Sequence, residues 1–130
     1  MDEAEEQRLM EEKTGKALEE ARTKLDTALD NLGKSGPELV KKVWLAEEAL
    51  EYTSLLYSLT YGLEDFDPPV PIRKRNADPG SLVKESDELL RLATDLRNKT
   101  PREGYTHLRA AVDKLRQSHH KMERATSKKS

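Results

Sequence analysis

The chain has 130 residues, of which 37% are charged and 35% hydrophobic, and its formal net charge at pH 7 is -2. This length suits one domain, and the low apolar fraction favours thin amphipathic helices over a thick globular core. The sequence contains no cysteine, which excludes disulfides, thiolate catalysis and sulfur-ligated zinc. It also lacks an apolar run of about 18 residues, so we expect a soluble intracellular protein of the cytoplasm or nucleus.

The first predicted helix covers about residues 13–33. Its apolar residues recur at intervals of three and four, and they are Leu18, Ala21, Leu25, Ala28 and Leu32. Gly33 follows as a natural C-terminal cap. Upstream, the apolar positions thin out and Gly15 interrupts them, so we expect the acidic segment 1–12 to fray or to be disordered.

The second predicted helix, over residues 37–63, is apolar on two faces and therefore needs neighbours on both sides. One seam consists of Leu39, Val43, Ala46, Leu50 and Tyr57, and the other of Leu45, Ala49, Tyr52, Leu56, Leu59 and Leu63. Ser35 and Glu38 form an S-x-x-E capping box at its start. Trp44 and Leu55 fall between the seams, so we expect at least one of them to reach the surface and anchor a partner helix.

Residues 65–80 hold four of the six prolines and predict a linker that crosses the bundle. The stretch P-P-V-P-I-R matches the PxxPx[K/R] pattern of SH3 ligands, in which prolines preset an extended ridge and a basic residue fixes its direction. Pro68, Pro71 and Arg73 are therefore candidate protein-binding residues. Two further interpretations stay open, a plain spacer and a nuclear import signal over residues 73–75.

The third predicted helix spans about residues 81–99 and is capped by Asp78 or Ser81. Thr100 and Glu103 form a second capping box, which begins a fourth helix over residues 101–124. The apolar seam of this fourth helix contains Tyr105, Leu108, Val112, Leu115, His119 and Met122. Residues 125–130 have the composition of a solvated tail.

These elements predict an all-α antiparallel bundle of four helices in one domain, residues 13–124. It combines a hairpin of two long helices, a proline-rich crossover and a shorter second hairpin. A three-helix bundle with a mobile first or last helix is the alternative, and the narrow seams would also suit contacts between chains. The oligomeric state is left open.

Charge is divided unevenly along the chain. Residues 1–65 carry 16 acidic and 8 basic side chains, whereas residues 66–130 carry 9 and 15. We expect an acidic first helix to pack beside a basic last helix. A nucleic-acid surface is the alternative, and its candidate phosphate-binding residues are Arg102, Arg109, Arg116 and Lys121.

Signals for catalysis are sparse. Arg102 and His107 have an R-x4-H spacing that resembles the motif of HEPN-type helical ribonucleases, and the resemblance covers these two residues. It implies that the arginine binds phosphate and the histidine transfers a proton. His119, His120 and Glu123 provide too few ligands for a structural or catalytic metal site, so we predict neither metal nor cofactor.

The sequence as a whole favours a non-enzymatic helical protein-interaction module, such as an adaptor or a small subunit of a larger intracellular complex. A nucleic-acid-associated subunit is the first alternative, and a HEPN-like ribonuclease is the second. A bundle fold alone does not choose among them, because helical bundles host unrelated functions.

Overall fold

The computed structural model describes residues 2–34 and 36–128, which form four α-helices: α1 (Glu3–Asp30), α2 (Pro37–Thr60), α3 (Pro79–Leu96) and α4 (Pro101–Lys128). Helix α1 pairs with α2, and α3 pairs with α4, as two hairpins. The hairpins pack together through α2 against α4 and through α1 against α3. The predicted all-α four-helix bundle is therefore confirmed.

The segment between α2 and α3 runs along the outside of α4. Its contacts follow α4 from one end to the other: Phe66 with Arg102, Arg73 with Asp113, Lys74 with Gln117, and Ala77 with Lys121. About 28 Å of helix α4 separates the first and last of these contacts. The 11 steps from Phe66 to Ala77 therefore advance about 2.6 Å each, which requires a largely extended chain.

Helix α1 begins at Glu3, so the segment expected to fray is instead helical from that residue. The Asp2 side chain accepts a hydrogen bond from the Glu5 backbone N–H at 2.8 Å and caps the helix. Acidic side chains in the first turn also suit the positive end of the helix dipole. Gln7 Nε2 donates to the Thr60 carbonyl at 2.9 Å, which ties this turn to the end of α2.

Gly15 does not interrupt α1, and the side chain of Arg97, the residue after α3, occupies the space beside it. A Cβ at position 15 would lie 2.9 Å from Arg97 Nη1. Arg97 also donates to the Glu11 carbonyl and, through Nε, to the Tyr61 hydroxyl at 2.8 Å. This arginine therefore joins α1, the end of α3 and the residue that follows α2.

Other helix ends also differ from the expected positions. Helix α4 continues to Lys128 and has 28 residues, as many as α1, so the second hairpin is shorter only in α3. Residues 125–128 of the predicted tail are therefore helical. The predicted capping residue Ser35 lies outside the described residues, and Gly36, at φ 98°, is the N-cap of α2 without a side-chain hydrogen bond. Asp78 caps α3 through the Ser81 N–H at 3.0 Å.

Tyr57 is the largest side chain that the core buries completely. Its ring centroid lies 4.9 Å from that of Tyr61 and 6.0 Å from that of Tyr105. The hydroxyl points to Gly104 of α4 and has no hydrogen-bond partner among the described residues. Burial raises the pKa of Tyr57 above its ordinary value; the adjacent Tyr61 raises it further, and Arg97 opposes the shift.

We expect the free energy of unfolding of the wild type to fall more steeply than that of Tyr57→Phe between about pH 9 and 11. The unfolded phenol loses its proton near pH 10, whereas the folded phenol holds it to higher pH, so rising pH favours unfolding. Urea denaturation of both proteins across this range measures the difference. Equal slopes for the two proteins would contradict the prediction.

Candidate protein interface on helix α2

Helix α2 buries only one of its two apolar seams completely. The residues of the first seam are all buried, whereas no residue of the second seam is fully buried. The second seam is partly covered, because Ala49 and Leu63 pack against the core and α1 borders a groove at Leu45 and Tyr52. Its most exposed side chains, Tyr52 and Leu59, stay uncovered by the described residues.

Four large side chains on the outward side of α2 are between 44% and 58% exposed: Trp44, Tyr52, Leu55 and Leu59. Their spacing places them on one side of a helix with 3.6 residues per turn. Leu45 and Leu56 lie beside them and are half-buried. We call these six residues the α2 outer face.

Charged residues lie at both ends of the α2 outer face and near its middle. Lys41 is at the N-terminal end, Glu48 is near the middle, and Glu64 and Asp65 are in the turn that follows α2. All four are exposed, and none forms an ion pair with another described residue. Their charges are therefore available to a bound partner.

Trp44 and Leu55 each line an open groove between α2 and α4. The groove at Trp44 has a volume of about 750 Å³ and is also lined by Lys41, His119 and Glu123. The groove at Leu55 has a volume of about 610 Å³. Its other lining residues include Tyr52, Phe66, Pro68, Tyr105 and Arg109. Both candidate anchor residues thus lie at the surface beside concave features.

The three candidate ligand residues of the crossover are not presented together. Pro68 is buried, whereas Pro71 is exposed. Arg73 is held by Asp113, with Nη2 2.6 Å from Oδ1 and Nε 3.4 Å from Oδ2, and this hydrogen bonding raises the pKa of Arg73 above its ordinary value. In this conformation the PxxPx[K/R] pattern does not offer its first proline and its basic residue to an SH3-type groove. Ile72, between these anchors, is 93% exposed.

Each candidate phosphate-binding residue contacts another part of the chain. Arg102 lies over the Phe66 ring at 4.4 Å, Arg109 donates to Ser54 Oγ at 3.1 Å, Arg116 pairs with Glu47 and Glu51, and Lys121 donates to the Ala77 carbonyl at 2.7 Å. Of these four residues, only Arg116 reaches acids on another helix, and that helix is α2. The expected packing of the acidic first helix beside the basic last helix is wrong, because α1 packs against α2 and α3. The nucleic-acid alternative stays a prediction, and its candidate cations already have intramolecular partners.

Arg102 and His107 leave α4 on different sides. Five helical residues correspond to a rotation of about 140°, and Arg102 stacks on the crossover at Phe66. Among the described residues, no hydrogen bond or ion pair joins His107 to another side chain. The ribonuclease alternative therefore gains no support from this arrangement and stays a prediction.

His119 lies between the carboxylates of Glu123 and Glu47. The contact between His119 and Glu47 was not predicted from the sequence. Its Nδ1 is 2.9 Å from Glu47 Oε2, and its Nε2 is 3.0 Å from Glu123 Oε1. Glu47 is only 8% exposed, and its other oxygen lies 3.6 Å from Arg116 Nε. The carboxylates lie at opposite ring nitrogens, and no group of three or more His, Asp or Glu side chains in residues 2–34 and 36–126 is arranged to hold a metal ion.

No protein-family model, curated protein or solved structure shows significant similarity to this chain. None of the helices in the described part of the chain combines the length and apolarity that crossing a bilayer requires. The function is therefore inferred from the chemistry of the surface.

Proposed function

We propose that this chain is a non-enzymatic helical protein-interaction module, an adaptor or small subunit of a larger intracellular complex, that binds an amphipathic helix of a partner on the α2 outer face. The observation that carries the proposal is the exposure of Trp44, Tyr52, Leu55 and Leu59 together on one side of a single helix.

The size of this face supports a binding role. The exposed parts of its four large side chains amount to roughly 400 Å² of surface, which is comparable to the largest apolar patch of a typical monomer, and such patches are often functional. The side chains project from a helix whose opposite side is buried in the core. The backbone is therefore already ordered, and binding a partner costs little conformational entropy. Aromatic residues such as Trp44 and Tyr52 are also the types that contribute most to protein interfaces.

The charges around the face define the chemistry of the bound helix. A helix in such a position contributes apolar residues at intervals of three and four to cover the exposed side chains. A basic residue near Glu48 and an acidic residue near Lys41 would complement the unpaired charges of α2. The partner is therefore an amphipathic helix with charges of both signs beside its apolar stripe.

We expect Leu55→Glu to abolish the capture of partner proteins from native cell extract, because it places a charge in the middle of the apolar face. Leu92→Glu is the matched control, since Leu92 is 46% exposed but lies on α3. Circular dichroism establishes that both variants fold, and mass spectrometry compares the proteins captured by each variant and by the wild type, with and without nuclease.

The proposal requires a set of proteins that the wild type and Leu92→Glu both bind after nuclease treatment and that Leu55→Glu loses. Identical capture by the two variants would overturn it. Loss of all captured proteins with nuclease would also overturn it and favour the basic surface of α4 instead.

A further inference from the structure

We infer that the helix bound on the α2 outer face is α2 of a second copy of this chain, packed antiparallel about a two-fold axis. The inference rests on the proposed function, because it names the partner of the same face. It follows from the order of charged and apolar residues along α2 and the turn after it.

The two ends of the α2 outer face carry opposite charges. Lys41 lies at one end, and Glu64 and Asp65 lie at the other, all exposed and without ion pairs among the described residues. In an antiparallel pair, each Lys41 lies beside the acidic end of the other copy. A parallel pair would instead place Lys41 beside Lys41 and the acidic ends beside each other, which costs electrostatic energy.

In the same antiparallel pairing, the apolar residues between these ends of one copy face apolar residues of the other copy. Helix α2 ends at Thr60 and the chain turns at Gly62, so the acidic turn lies about 30 Å along the helix axis from Lys41. The midpoint between them lies beside Tyr52, so this residue is near the two-fold axis. Trp44 of each copy then meets Leu59 of the other copy. Each contact occurs twice, and the interface closes at two copies, as expected of an isologous dimer. The two Glu48 side chains are about 9 Å apart along the axis, and no basic residue of the other α2 lies beside them, so their repulsion weakens the pairing.

The area of this face predicts a weak dimer. Two copies bury roughly 800 Å² from the four large side chains alone, and the adjacent half-buried leucines add to this area. Stable complexes usually bury at least about 1,200 Å² in total. We therefore expect association that depends on concentration and leaves monomer at low concentration.

The first test is sedimentation velocity of the full chain over a wide concentration range. We expect the wild type and Leu92→Glu to form dimers as concentration rises and Leu55→Glu to stay monomeric. Lys41→Glu should weaken the dimer several-fold, and combining it with Glu64→Lys should restore it. A wild type that is monomeric at every concentration would overturn the inference, as would a dimer that Leu55→Glu leaves intact.

Introduced cysteines test the antiparallel geometry, because the natural chain has none. Tyr52→Cys should form disulfide-linked dimers under mild oxidation, since two copies of position 52 meet near the axis. Lys41→Cys alone should not, because its two copies lie about 30 Å apart along the helix axis, whereas Lys41→Cys combined with Glu64→Cys should. Leu92→Cys is the background control. Efficient cross-linking by Lys41→Cys alone would indicate parallel pairing and overturn the antiparallel model.

Failure of this inference is distinguishable from failure of the proposed function. A monomeric wild type overturns self-pairing, whereas the comparison of proteins captured by Leu55→Glu and Leu92→Glu decides whether the face binds another protein. A dimer that Leu55→Glu dissociates would identify the second copy as the partner of the α2 outer face.

Discussion

Gly104→Ala is expected to destabilise the bundle by about 1–3 kcal/mol, although glycine-to-alanine substitution in an exposed helix usually stabilises by about 1 kcal/mol. Gly104 is buried in α4, at the point where α2 and α3 approach it. An added Cβ would overlap the Tyr57 hydroxyl oxygen and lie 3.1 Å from the Ala93 carbonyl oxygen. Because Tyr57 is completely buried and Ala93 contributes backbone, neither group can move away cheaply.

The contribution of the Tyr57 hydroxyl can be isolated with a double-mutant cycle. Tyr57→Phe removes a buried hydroxyl that lacks a partner among the described residues, so we expect unchanged stability or a gain of up to about 1 kcal/mol. In this background, Gly104→Ala should cost at least about 1 kcal/mol less than in the wild type.

Urea denaturation followed by circular dichroism measures the four stabilities of this cycle. Gly33→Ala is the control, because a Cβ at position 33 would meet no atom within 4 Å, and its effect should be within about 0.5 kcal/mol. Strict additivity of Gly104→Ala and Tyr57→Phe would show that the hydroxyl does not cause the strain.

The fold was predictable because its main signals are local. Residues at intervals of three and four mark the first seam of α2 and the seam of α4, and both pack in the core. Helix boundaries were less predictable, because the decisive contacts are distant in sequence. Gln7 near the start of α1 meets the end of α2 across 53 positions, and the lack of a side chain at Gly15 leaves room for Arg97, the residue after α3.

The candidate interface was predictable only in part. Trp44 and Leu55 lie at the surface, which agrees with their place between the two seams. Tyr52 and Leu59 belong to the second seam, which periodicity could not distinguish from a core seam. The burial of Pro68 depends on the course of the crossover over α4, and no local pattern specifies that course. No sequence pattern marks Glu47 as a buried residue, because it is buried by contact with α4, which is distant in sequence.

Glu47 is a buried carboxylate whose partners both come from α4. Arg116 and His119 contact its two oxygens. Removing both partners leaves a buried negative charge without compensation, which typically costs about 3–5 kcal/mol. We therefore expect the double variant Arg116→Met/His119→Leu to lose at least about 3 kcal/mol of unfolding free energy at neutral pH.

Substituting Glu47 as well distinguishes the cost of an uncompensated buried charge from the cost of lost packing contacts. Adding Glu47→Leu to the double variant should restore most of the lost stability, because an apolar trio can replace a buried ionic cluster at little cost. Lys114→Met breaks the more exposed pair with Glu85 and should change stability by about 1 kcal/mol or less. Urea denaturation of these variants gives the four values. If the triple variant were no more stable than the double variant, the cost would lie in lost packing between α2 and α4 and not in the uncompensated charge of Glu47.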